Sequence, residues 1–170
     1  VTEAVLAVAP LPAACATALL VPADEAAVPA LARALEARLG QDLSAFEFLS
    51  GNAMRHALAH APSIRNPFAG EAVPDMALLV EIARSRAPAD DEPALAAVLE
   101  RTLAELWEAD ETPLADAVFA PPEVLWPLRH GLSEGVKQAG RLFAFDLAFE
   151  RPAVFAFRAS MRTRLARDWP

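Results

Sequence analysis

Two apolar stripes at helical spacing, each set between short strand-like runs, constrain the fold more than any other feature of the sequence. Val28, Leu31, Leu35 and Leu39 recur every three to four residues and share one helix face, and Leu95, Val98, Leu99, Leu103 and Leu106 do the same. Asp24 is expected to cap the first helix and Gly40 to stop it; Asp90 or Asp91 is expected to open the second, which runs to about Ala109. Runs with strand character surround them: "ACATALLV" (14–21, ended by Pro22), "LSAFEFLS" (43–50), "MALLVEIA" (76–83) and "LADAVFA" (114–120). "TEAVLAVA" (2–9) and "LFAFDLAF" (142–149) read as a first and a last strand. A short helix after Gly51, a Pro-rich loop over 61–75, a helix over 123–139 and a final helix from Arg151-Pro152 complete the chain.

The order is therefore β-β-α-β-α followed by β-α-β-α-β-α. It predicts an α+β fold: an antiparallel sheet with helices on one face, built from two ferredoxin-like halves, about 1–73 and 74–170. A parallel doubly wound sheet is the alternative. It would need a Gly-rich phosphate loop at a helix start, and the six glycines form neither GxGxxG nor a P-loop.

Charge narrows the function classes. The 170 residues carry a formal net charge of -8, so a nucleic-acid backbone is repelled unless cations cluster. Arg158, Arg162, Arg164 and Arg167 do gather near the C-terminus, at a spacing that suits a solvated helix face. Cys15 is the only cysteine, which excludes an intrachain disulfide; within its apolar run it is expected to be a buried small side chain. No apolar run is long enough to span a bilayer, and the opening "VTEAVLAVAP" lacks the basic segment of a secretory signal. A cytoplasmic location is expected. The start in mid-strand without an initiator Met suggests a piece of something longer.

The helix at 123–139 carries the most chemistry. Val124, Leu128, Leu132 and Val136 recur every four residues as the expected buried stripe, and Arg129, Ser133 and Lys137 form a parallel polar row about 100° away. Two cations and a hydroxyl, with no acid in their own row, suit an anion such as a carboxylate, to which Arg presents a bidentate fork. The same row would equally serve as an ordinary solvent face. In the following strand Phe143, Phe145, Leu147 and Phe149 point one way as core, and the other side is small, with Asp146 its only carboxylate.

The remaining residues point elsewhere. His56 and His60 have a metal-compatible spacing but no evident third ligand. His130 receives no role. Glu47 and Glu81 fit outward strand positions or an acid pair near a site. Trp107, Trp126 and Trp169 read as packing anchors. No GxSxG elbow or Ser-His-Asp order is present.

"FEFLSGNAMRHAL", "LLVEIA" and "LWPLRHGLSEGVKQAGRLFAFDLAF" together resemble the C-terminal (cap) domain of FAD-linked oxidases, in particular the D-lactate, glycolate and D-2-hydroxyglutarate dehydrogenase group. The most specific part matches at Trp126, Leu128, Arg129, Ser133, Glu134, Gly140 and Asp146. The resemblance implies a cap over the flavin of a separate FAD-binding domain, acting on a small 2-hydroxy acid. In such relatives the Arg of the "LR" pair and the Ser or Thr one turn later hold the substrate carboxylate; here those are Arg129 and Ser133, with Lys137 and Asp146 in support. Relatives often carry Lys two residues before the Asp, where this chain has Ala144, which points to a smaller or monocarboxylic acid. The family's "HxGDGN" segment, which supplies metal ligands and a base, lies outside this chain, so a divalent metal would belong to the parent. The segment alone is expected to be inactive. Two rival readings are a non-catalytic ferredoxin-like module that binds a small molecule, and a scaffold whose Ala/Leu helices form a homodimer.

Overall fold

The computed structural model describes residues 2–8, 10–68, 70–86, 89, 92–109, 113–151 and 153–169. Four strands, β1 (Ala14–Pro22), β2 (Leu43–Ser50), β3 (Met76–Arg84) and β4 (Leu114–Phe119), form one sheet in the order β2-β3-β1-β4, with every neighbouring pair antiparallel. Among the described residues five α-helices accompany them: α1 (Val28–Leu39), α2 (Gly51–His60) and α3 (Leu95–Trp107) connect successive strands, and α4 (Pro122–Gln138) and α5 (Ala153–Asp168) follow β4. The expected α+β class and antiparallel sheet are present. The strand β1, from the first half of the sequence, lies between β3 and β4 from the second, so the halves are interleaved in one sheet.

The helices lie on both faces of the sheet, where one face was expected. Alternate residues of a strand point to opposite sides, and both sets are apolar in the central strands. Ala16, Ala18 and Leu20 of β1, with Leu78, Val80 and Ile82 of β3, pack against the α1 stripe and against Leu95, Leu99, Leu103 and Leu106 of α3. Leu19, Leu79, Ala77 and Leu49 face the other way, against Met54 and Ala57 of α2 and Leu125 and Leu128 of α4. Both predicted stripes are thus inward, and Gly40, at φ 54°, ends α1. Asp24 accepts from the Ala27 amide in the turn that precedes α1, so the helix proper begins later than the sequence suggested. The expected cap at Asp90 or Asp91 and the first-turn Pro152 fall outside the described residues.

Two expected strands do not form. Residues 2–8 and 142–149 carry no regular structure. Val5, Leu6 and Val8 stay exposed, as do Phe143, Phe145, Leu147 and Phe149. Alternation suits a half-buried strand but does not suffice to form one, because its N–H and C=O groups need a neighbouring strand to pair with. Among the described residues no helix is long and apolar enough to cross a membrane.

An ion cluster ties the end of β3 to its surroundings. Arg84 donates through Nε to Asp42 at 2.9 Å and through Nη1 to Glu92 at 2.7 Å, and Arg86 donates to the other Glu92 oxygen at 2.7 Å. The Arg86 hydrogen bond, and after it the Ala89 amide, hold the Glu92 carboxyl below its ordinary value. A depressed folded-state pKa adds stability that is present above the unfolded value of 4.5 and is lost as pH falls through the folded one. Glu92→Gln should therefore melt below wild type at neutral pH, with the difference closing as the solution is acidified below that value. Parallel melts across pH check this, and a gap that persists in acid would contradict it.

Candidate functional site

On the sheet face covered by α2 and α4, the two helices cover only part of the surface. The remainder is lined by Cys15 of β1, Ala45 and Glu47 of β2, and Glu81 and Ala83 of β3, with the buried Thr17 of β1 on the same side. Their common side follows from the register, which sets Cys15 opposite Ala83, Thr17 opposite Glu81, Ala45 opposite Glu81 and Glu47 opposite Leu79. The N-terminal half of α4 borders this area with Trp126, Arg129 and His130.

Each polar group there has a structural reason for its position. The ladder between β2 and β3 shifts register between Leu43 and Ala45, which leaves Ser44 as a bulged residue. The Ser44 hydroxyl donates to Glu81 Oε1 at 2.9 Å. Trp126 Nε1 donates to Glu81 Oε2 at 2.7 Å, so both carboxylate oxygens are engaged. The His130 ring stacks on Trp126 at 5.4 Å between centroids. Thr17 is buried and donates its hydroxyl to the Ala120 carbonyl at the end of β4.

Arg129 is the only member of the predicted polar row with a bond across to the sheet. Its Nε donates to Glu47 Oε2 at 2.8 Å. The sequence reading found no acid in the row itself; the partner comes from β2, 82 positions away, where helical spacing gives no view of it. Only one edge of the guanidinium is used. The terminal nitrogens have no hydrogen bond among the described residues, and the two side chains are 37% and 36% exposed. A guanidinium held from Nε with its Nη edge open is oriented for a bidentate anion.

The rest of the predicted set is more dispersed. Ser133, one turn past Arg129, is exposed and makes no hydrogen bond among the described residues. Lys137 is exposed and 3.9 Å from Glu134 on its own helix. Asp146 lies in the exposed segment after α4, away from any strand. The buried face of α4 is set by Leu125, Leu128 and Gly135, with Val124, Trp126 and Leu132 partly buried, so the expected stripe is rotated. Among the tryptophans only Trp126 anchors packing, since Trp107 and Trp169 are largely exposed.

His56 and His60 stack on each other on α2, and among the described residues no three His, Cys, Asp or Glu side chains gather around a metal-sized site. Cys15 is exposed, where burial was expected. Local desolvation, and then the carboxylates of Glu81 and Glu123, push its thiol pKa up. The thiolate is the reactive form, so iodoacetamide at neutral pH should modify Cys15 several-fold more slowly than a free thiol. Labelling at the rate of free cysteine would contradict that environment.

Sequence reasoning missed Glu47 as a partner for Arg129, Ser44 as a bulge and Trp126 as a donor. The one available signal was the pair of glutamates in otherwise apolar strands, Glu47 and Glu81, which the register places on the same face.

The sequence belongs to a known class of domain. The chain matches the family described as FAD linked oxidases, C-terminal domain, over residues 11–168, and it is a member of that family. It is 31% identical to the mitochondrial D-2-hydroxyglutarate dehydrogenase of Arabidopsis thaliana over 127 residues, and 31% identical to the one of Rattus norvegicus over 137. These alignments cover 75% and 78% of this chain but only 22% and 24% of the relatives, so the chain spans about a quarter of their length.

Proposed function

We propose that this domain forms part of the substrate pocket of an FAD-dependent oxidoreductase, where it holds the carboxylate of a 2-hydroxy acid. The observation that carries the reading is Arg129: anchored from Nε, open at Nη, and set beside a sheet face that α4 leaves partly uncovered. Family membership supports it, because the matched stretch, 11–168, spans Arg129 and Ser133. Ser133 adds a neutral donor one turn on, and Lys137 a more distant positive charge. Asp146 has a supporting role at most, in an exposed segment without regular structure.

The described residues do not themselves make a dinucleotide cradle. The glycines at positive φ are Gly40, Gly70 and Gly140; Gly40 ends α1 and opens only a three-residue 3-10 turn, Gly140 follows α4, and Gly70 lies in a loop. Family membership implies FAD, and the proposal assigns the flavin to another part of the parent protein, where it would supply the redox chemistry. No step is assigned to a metal, for which these residues offer no ligand cluster.

One observation favours a second reading, a small-molecule-binding module without catalysis. A groove of about 690 Å³ lies between α1, β2 and α5, lined by Phe46, Phe48 and Phe155 with charged side chains at its rim. Anaerobic mixing of the full-length parent with small 2-hydroxy acids separates the two. The oxidoreductase reading expects loss of oxidised-flavin absorbance, and a parent that carries no flavin, or one whose flavin no such acid bleaches, would overturn it.

A further inference from the structure

We propose that Glu47 is a specificity-determining residue, one that disfavours substrates carrying a second carboxylate. The proposal rests on Arg129 as the carboxylate clamp. An anion on the Nη edge of Arg129 shares the guanidinium with Glu47, whose oxygen already lies 2.8 Å from Nε. Part of the positive charge is thus neutralised before a ligand arrives. β2 is an edge strand and the Glu47 side chain is 36% exposed, so its charge is felt by a ligand at this edge.

The neighbouring charge has the same sign. Glu81 projects from the same sheet face, kept in place by Trp126 and Ser44, neither of which brings a positive charge. Arg129, Glu47 and Glu81 together leave one net negative charge beside the clamp. The other cation of the row, Lys137, lies near Glu134. A monocarboxylate puts its one charge on Arg129 and turns a neutral tail to the sheet. A dicarboxylate must place its second charge near two fixed acids without a spare cation among them. At about 6 Å and an intermediate dielectric, one such like-charge contact changes binding roughly tenfold.

Selectivity is read as the ratio of kcat/KM for a 2-hydroxy dicarboxylate to that for a 2-hydroxy monocarboxylate of matched chain length, in the full-length parent. Glu47→Gln should raise this ratio roughly tenfold, and Glu47→Ala should move it in the same direction. The same shift is expected in the relative affinities of glutarate and butyrate, read by calorimetry, since neither can be oxidised at a hydroxyl. An unchanged ratio in both variants, while Arg129→Met is impaired, overturns the role of Glu47 and leaves the clamp standing. Full activity in Arg129→Met overturns both.

Discussion

If Arg129 is the proposed carboxylate clamp, Arg129→Met in the full-length parent should lower kcat/KM for a 2-hydroxy acid by about 100-fold, roughly 2.7 kcal/mol of lost stabilisation. Methionine keeps the length and apolar stem of the side chain but removes the fork. The loss should appear in both KM and kcat, since the carboxylate that Arg129 holds is bonded to the reacting carbon and the clamp sets that carbon's position. Arg129→Lys should recover only part of it, because an ammonium is a point charge and cannot span both carboxylate oxygens from the same stem. Stability is a useful control. The Arg129–Glu47 pair is more than a third exposed on both sides, so its loss should cost no more than about 1 kcal/mol. A variant that melts near wild type but binds substrate poorly has lost the clamp. Unchanged kinetics would remove Arg129 from the site.

The second large effect concerns how α4 is held. Gly131 and Gly135 are one turn apart on α4 and face α2 and the loop after it. A Cβ built at Gly135 would lie 2.5 Å from both the backbone nitrogen and the Cα of Ala57, and 2.8 Å from the carbonyl carbon of His56. Those atoms belong to a helix backbone and cannot swing away, so the two helices must separate. At Gly131 the nearest atom is Ile64 Cδ1, the end of a flexible side chain. Overpacking against backbone costs about 3 kcal/mol, against which alanine regains about 1 kcal/mol of helix propensity. Gly135→Ala should therefore lose about 2 kcal/mol, a fall in Tm of roughly 6 °C, and Gly131→Ala should lie close to wild type. Because Arg129 and Trp126 stand on the same helix, the former variant should also weaken substrate binding. Matching melts for the two variants would contradict the close helix contact.

How much of this was legible in the sequence depended on whether a feature is local. The α1 and α3 stripes were, because 3.6-residue periodicity is written into the spacing of their leucines and both helices bury one face. The four strands that form were also located to within a residue or two. The failures all involve a partner distant in sequence. "LFAFDLAF" has the alternation of a strand but finds no ladder, and Cys15 sits in an apolar run yet at an exposed end of β1. The α4 stripe was placed on Val124, Leu128, Leu132 and Val136 because they recur every four residues, whereas the closest contact is made by Gly135, whose value is the side chain it lacks. At the site, the resemblance and the helical row agreed on Arg129, but its ion pair with Glu47 depends on β2 lying next to β3 and on α4 crossing them. The first of these is fixed by strand order and the second by helix packing, and neither leaves a mark on residues 123–139 themselves.

The most direct measurement is a crystal structure of the full-length parent with a small 2-hydroxy acid bound. The ligand carboxylate should lie about 2.8 Å from the terminal nitrogens of Arg129, with Glu47 still at Nε or displaced by the ligand. A ligand carboxylate bound elsewhere, with Arg129 closed on Glu47 alone, would contradict the assignment.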